Sequence, residues 1–125
     1  HTLMKIPLKL ILAMILVESS AREDVTGDGG QAYGCLQIHQ ICVEDVNRII
    51  KEERYVHEDA FDVVKSIEMM RIYIGHWCTE DRIGRAVTLQ DAARIWNGGA
   101  RGYQKPSTVE YWERVEHKLN QLNTL

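Results

Sequence analysis

From Met4 to Val17 the chain is apolar almost without interruption, and then it meets Glu18. Only Lys5, Pro7 and Lys9 break the run. A helix that is apolar all round has no solvent side, so this stretch is expected to form a central helix, Pro7 to Ser20, with other elements packed around it. Leu8, Leu12, Ile15 and Leu16 are among the apolar positions that define it. The run is too short to cross a bilayer, so no membrane span is expected. Lys5 and Lys9 give it a superficial likeness to a secretory signal. Pro7, however, sits where a helix begins, and no A-x-A-like site follows. The chain opens on His1 in place of methionine, which leaves room for a signal upstream; none is visible within it.

The rest of the sequence reads as helices with one turn-rich insertion. Gly and Asp crowd the segment Asp24 to Gly30, which favours tight turns and positive φ. Gln31 to Ile38 then reads as a short extended run, one arm of a small hairpin. A second helix is expected from His39 to Lys51, with Ile38, Cys42, Val46 and Ile49 or Ile50 on one side. Asp62 caps a third, Val63 to Trp77, striped by Ile67, Met70, Ile74 and Trp77. Thr88 and Asp91 form a capping box for a fourth, ending at Asn97-Gly98-Gly99. Ser107 and Glu110 make another box, opening a last helix that runs to about Leu122. No repeat or Pro/Ser-rich linker divides the 125 residues, so one domain spanning 1–125 is expected.

Composition narrows the function classes. A net charge of −3 gives no electrostatic case for nucleic acid as partner. Any attraction to an anionic polymer must then be local to a cleft. Cys35, Cys42 and Cys78 are too few for a disulfide scaffold, and three buried thiols are favoured over a Cys35–Cys42 bridge. His39, His57, His76 and His117 are scattered without metal-ligand spacing, so neither a metal nor another cofactor is expected. No phosphate loop or nucleophile elbow is present.

Glu18 is the residue that invites chemistry. A carboxyl at the end of an apolar helix is either the first polar group as the helix surfaces or a desolvated acid. In a partly apolar cleft its pKa is expected to rise, which readies it to protonate a leaving glycosidic oxygen. Glu23 and Asp24 are fallback candidates with weaker placement.

Two separated blocks bear on that choice. Glu18-Ser19-Ser20 followed by Gly27-Asp28-Gly29-Gly30-Gln31-Ala32-Tyr33-Gly34-Cys35-Leu36-Gln37-Ile38 resembles the soluble lytic transglycosylases and the goose- and invertebrate-type lysozymes. Ala93-Arg94-Ile95-Trp96-Asn97-Gly98-Gly99, with the later Tyr111, is similar to a second block of the same superfamily. Together they cover roughly half the chain, in the family's order. Cys35-Leu36 and Trp96 depart from the usual residues but keep an apolar or aromatic wall.

The resemblance implies a mainly α, lysozyme-like fold of α+β type: a helical domain with a central catalytic helix and a small β-hairpin. It implies a muramidase that acts as a monomer outside the cytoplasm on peptidoglycan glycan strands, cutting between N-acetylmuramic acid and N-acetylglucosamine. Glu18 would be the acid. Ser20, Tyr33, Gly34, Gln37, Trp96, Asn97 and Tyr111 would bind sugar, with Tyr103 a further aromatic candidate.

Each of these residues also has a structural reading: Gln37 a backbone clasp, Asn97 a helix cap, the aromatics core. Asp28 lies roughly where invertebrate-type lysozymes carry a second carboxylate. It would be a water-activating base, an ion-pair stabiliser or simply a turn residue. The turn reading of Asp28 is preferred, so Glu18 is expected to act alone and the enzyme to be a lytic transglycosylase, with a lysozyme-type hydrolase of the same bond as the alternative. The rivals are a non-catalytic wall-binding module that kept the fold, and a chitinase-like activity on N-acetylglucosamine polymer.

Overall fold

A computed structural model of the protein describes residues 5–125, so His1 and Met4, the first position of the apolar run, lie outside the described residues. The described chain is mainly helical. Helix α1 covers Leu8–Ser19, α2 Gln40–Ile50, α3 Val63–Trp77, α4 Glu80–Ile83, α5 Leu89–Gly98 and α6 Val109–Asn123. Strands β1 (Thr26–Gly27) and β2 (Ala32–Tyr33) form an antiparallel hairpin, pairing Thr26 with Tyr33 and Gly27 with Ala32. No helix among the described residues is long and apolar enough to cross a membrane.

The described chain forms two compact units, Ile15–Tyr73 and, separately, Ile74–Leu125 with residues 5–14. In the first, Ile15, Leu36, Ile38, Val43, Val46, Met69 and Met70 are buried. In the second, Leu10, Ile11, Met14, Ile74, Ile95 and Val115 are buried.

Where the sequence carries a period or a cap, the expected elements form as read. Helix α3 has the expected bounds, and Asp62 caps it by accepting from Lys65 N at 2.9 Å. Thr88 and Asp91 close the reciprocal capping box at the start of α5. The C-cap of α5 is Gly99, with φ 89°, and its N–H bonds to the Ile95 carbonyl. That conformation suits glycine, and it leaves Asn97 inside the last helical turn.

Four expectations need correction. On α1 the apolar positions Leu8 and Leu12 are exposed, while Leu10, Ile11, Ala13 and Met14 are buried. A uniformly apolar segment carries no periodicity to say which side faces in. On α2 the buried face is led by Val43 and Val46, with Cys42, Ile49 and Ile50 only half-buried. The Gln31–Ile38 run is extended over Ala32–Tyr33 alone; the chain then turns, and an isolated bridge joins Tyr33 to Ile38.

Finally, Ser107 does not cap α6. Pro106–Thr108 forms a short 3-10 turn, and Thr108 occupies the cap position without a side-chain cap bond. The buried Thr108 hydroxyl instead donates to the Gly102 carbonyl at 2.7 Å and accepts from Arg94 Nε at 2.8 Å. An element between Trp77 and Thr88 went unread: α4, capped by Thr79 and closed by Gly84 at φ 87°.

Candidate active site

Glu18 sits in the last turn of α1 and is half-buried. The next residue, Ser19, is buried; its hydroxyl donates to the Cys35 carbonyl at 2.7 Å, with the Ile15 carbonyl at 3.1 Å. The helix end that carries Glu18 is thereby fastened to the segment after β2. Sequence reasoning singled out Ser20 and passed over Ser19, because a local hydroxyl gives no sign of a partner sixteen residues away. Ser20 is exposed and, with Ala21, takes a left-handed conformation, φ 56° and 67°. Two consecutive non-glycine residues in that region are strained, so the chain leaves the helix through a costly turn beside Glu18.

The hairpin that follows is clamped from within. The Gln37 side chain donates to the Gly34 carbonyl at 2.9 Å, and its Oε1 fills the space where a Cβ on Gly27 would stand. This is the backbone clasp. Gly34, at φ 79°, brings its backbone against the Ala60 carbonyl, which a Cβ would strike. The close approach here is thus to the 3-10 helix His57–Phe61.

Tyr33 lies flat on the His57 ring, centroids 3.6 Å apart, and also stacks with Phe61 at 4.6 Å. His57 Nε2 donates to the Ile38 carbonyl at 2.7 Å.

Asp28, φ 49°, opens the short 3-10 turn at the hairpin tip. Its Oδ2 lies 2.9 Å from Nε2 of His39, the residue that precedes α2. Next to this pair is a cavity of about 350 Å³ whose lining includes Gly30, Gln31, Tyr33, His39, Gln40 and His57. Two amides, two imidazoles and a phenol edge are groups that recognise hydroxyl- and amide-bearing ligands. The fallback Glu23 lines a separate acidic cavity of about 500 Å³ with Glu58, Asp59 and Asp62; Asp24 is exposed.

The second block falls in the other unit. Trp96 is half-buried, and Asn97 is exposed in the last turn of α5. Tyr103 is half-buried in a 3-10 turn, and Tyr111 is buried on α6 beside Val115 in the helix's core face. In the same unit Arg85 grips the buried Asp91 carboxylate with two bonds, 2.7 and 2.9 Å. Burial works against the Asp91 charge, but the Arg85 and Thr88 bonds outweigh it and hold the carboxyl below the usual range.

Cys35 and Cys42 are not joined, and burial pushes the Cys42 thiol up to about 12. Among the described residues, no three His, Cys, Asp or Glu side chains gather as metal donors.

No protein-family profile matches the chain. A lysozyme of Ostrea edulis is 25% identical to it over 137 aligned positions, spanning 92% of this chain and 97% of the relative. Among solved structures, the fold is similar to a chain from the crystal structure of Aeromonas hydrophila PliI in complex with Meretrix lusoria lysozyme. The TM-score is 0.74 at 23% identity, over 90% of this chain and 89% of that one. The protein therefore has a mainly α, lysozyme-like fold with a small two-stranded sheet.

Proposed function

We propose that the protein is a muramidase, acting outside the cytoplasm, that cleaves the β-1,4 bond between N-acetylmuramic acid and N-acetylglucosamine with Glu18 as proton donor. The observation that carries this reading is the setting of Glu18. It is a half-buried carboxyl at the end of an apolar helix, held next to a clamped hairpin by the Ser19–Cys35 bond. The lysozyme-like fold and the sequence likeness to a lysozyme support it. The amide- and imidazole-lined cavity beside Asp28 suits the N-acetyl and hydroxyl groups of such a glycan.

Two courses are open to this acid. In both, Glu18 gives its proton to the bridging oxygen as the bond from C1 breaks. In hydrolysis, a water adds to C1 and surrenders its proton to a second carboxylate, here Asp28. In transglycosylation, the muramoyl 6-hydroxyl adds to C1 and returns its proton to Glu18, leaving a 1,6-anhydro ring. A single-carboxylate pattern favours the second course. The bond between Asp28 and His39 favours the first, because it provides the hold on Asp28 that a Gly-rich turn alone lacks. We take hydrolysis as the leading course.

Mass spectrometry of digested peptidoglycan separates the two, since the products differ by one water. Reducing-end muropeptides are expected. Anhydro products would make the protein a lytic transglycosylase, and an intact sacculus would end the muramidase reading.

A further inference from the structure

We propose that His39 is a positioning residue for Asp28, fixing the carboxylate that takes the proton from the attacking water; this rests on the hydrolytic reading above. Asp28 sits in a turn with glycine on both sides, Gly27 before it and Gly29-Gly30 after it, a composition that leaves a side chain loosely aimed. The structure supplies what the composition lacks. Asp28 follows Gly27, which pairs with Ala32 in the hairpin, and His39 follows Ile38, which bridges back to Tyr33. Both partners therefore stand one residue beyond points pinned to the same two-residue strand, Ala32–Tyr33.

The pins are themselves braced. Gln31 N bonds to the Gly27 carbonyl at 2.9 Å, and the Gln37 amide fills the space over Gly27. On the other side, the Ile38 carbonyl accepts from Tyr33 N at 3.0 Å and from His57 at 2.7 Å.

The direction of the bond fits this task. An ionised carboxylate only accepts, so His39 Nε2 carries the hydrogen and donates it to Oδ2. The Asp28 side chain is 72% exposed, so water reaches the carboxylate while His39 holds Oδ2. An exposed pair of this kind adds little to stability. His39 also makes no side-chain cap bond to α2, so capping does not account for its orientation. The same histidine lines the cavity that suits an N-acetylated glycan, which puts the hold on Asp28 at the edge of the substrate site.

The test uses the full chain and a soluble, uncrosslinked strand of alternating N-acetylglucosamine and N-acetylmuramic acid. His39→Ala is expected to lower kcat about tenfold while KM stays within about twofold. His39→Gln, whose amide N–H reaches to the same place as Nε2, is expected to recover most of that loss. In an Asp28→Asn background, His39→Ala is expected to add nothing, because the two act as one unit. Thermal melts of all variants are expected to match the parent.

Full kcat in His39→Ala, or an equal loss with and without the Asp28 carboxylate, would overturn the role of His39 while leaving the muramidase reading standing. A parent inert on this strand, or a Glu18→Gln variant as active as the parent, would remove the muramidase reading and this proposal with it.

Discussion

The Ser19 hydroxyl reaches the Cys35 carbonyl at 2.7 Å, and so the residue after Glu18 is anchored to the chain that follows the hairpin. The helix end that carries Glu18 is thereby tied to that loop, and a proton donor needs a scaffold fixed in this way.

Glu18→Gln is the first expectation that follows. The amide keeps the size of the side chain but donates no acid proton, so turnover falls by at least ~10²-fold. The melting temperature stays at or above that of the parent. Release of soluble muropeptides from purified peptidoglycan measures the first quantity, and circular dichroism the second. Parent-like turnover would remove Glu18 from the mechanism.

Asn97→Ala separates binding from capping. Gly99 holds the C-cap of α5, and Asn97 projects from the last turn into solvent. Its removal leaves stability within about 0.5 kcal/mol, the usual range for a surface change. Activity is expected to fall several-fold through KM. Unchanged kinetics would take Asn97 out of the sugar site.

Gly34→Ala tests the hairpin's seat on the His57–Phe61 turn. The added methyl meets the Ala60 carbonyl, and the backbone at φ 79° disfavours any side chain. Together these cost about 3 kcal/mol. A chemical denaturation curve reads this as a lower midpoint with an unchanged slope. A neutral result would mean that the backbone shifts freely there.

Asp91 governs acid stability. Its folded pKa lies below its unfolded value, so its contribution is complete above the unfolded carboxylate pKa and is lost as pH falls through the folded one. Below about pH 4, the unfolded value, melting temperature is expected to drop in the parent, and to drop less in Asp91→Asn. At neutral pH, Asp91→Ala is expected to cost about 3 kcal/mol, because the pair with Arg85 and the cap on Thr88 go together. Parallel pH curves for parent and Asn variant would assign the acid limb to other carboxylates.

Local chemistry made much of this molecule readable in advance. Asp62 and Thr88 announced their helices because a cap needs only the next turn. The Gly and Asp crowd at 24–30 announced the hairpin tip because few residues accept positive φ. The orientation of α1 was silent, since Leu8 and Leu10 look alike in an apolar run and only the folded neighbours decide which is buried. Ser107 misled for a related reason. Its spacing to Glu110 is right, but Pro106 starts a 3-10 turn that moves the helix start past it.

In the candidate site, Glu18 and Asp28 stood out by type and position. Their supports, Ser19 to Cys35 and His39 to Asp28, join residues sixteen and eleven apart in sequence, and no local pattern encodes them. Asn47 is similar: its buried amide bonds Arg54 N, Tyr55 N and the Tyr55 carbonyl, which ties down the loop after α2.

The Gln37 amide lying in the space above Gly27 also constrains how this sequence can drift. The side chain at 37 and the space at 27 are therefore coupled. While glutamine stays at 37, a side chain at 27 has to push its Oε1 aside and disturb the bond to Gly34; a lineage that shortens 37 opens the other position and loses that bond in the same step. The two sites are thus expected to change as a pair among descendants.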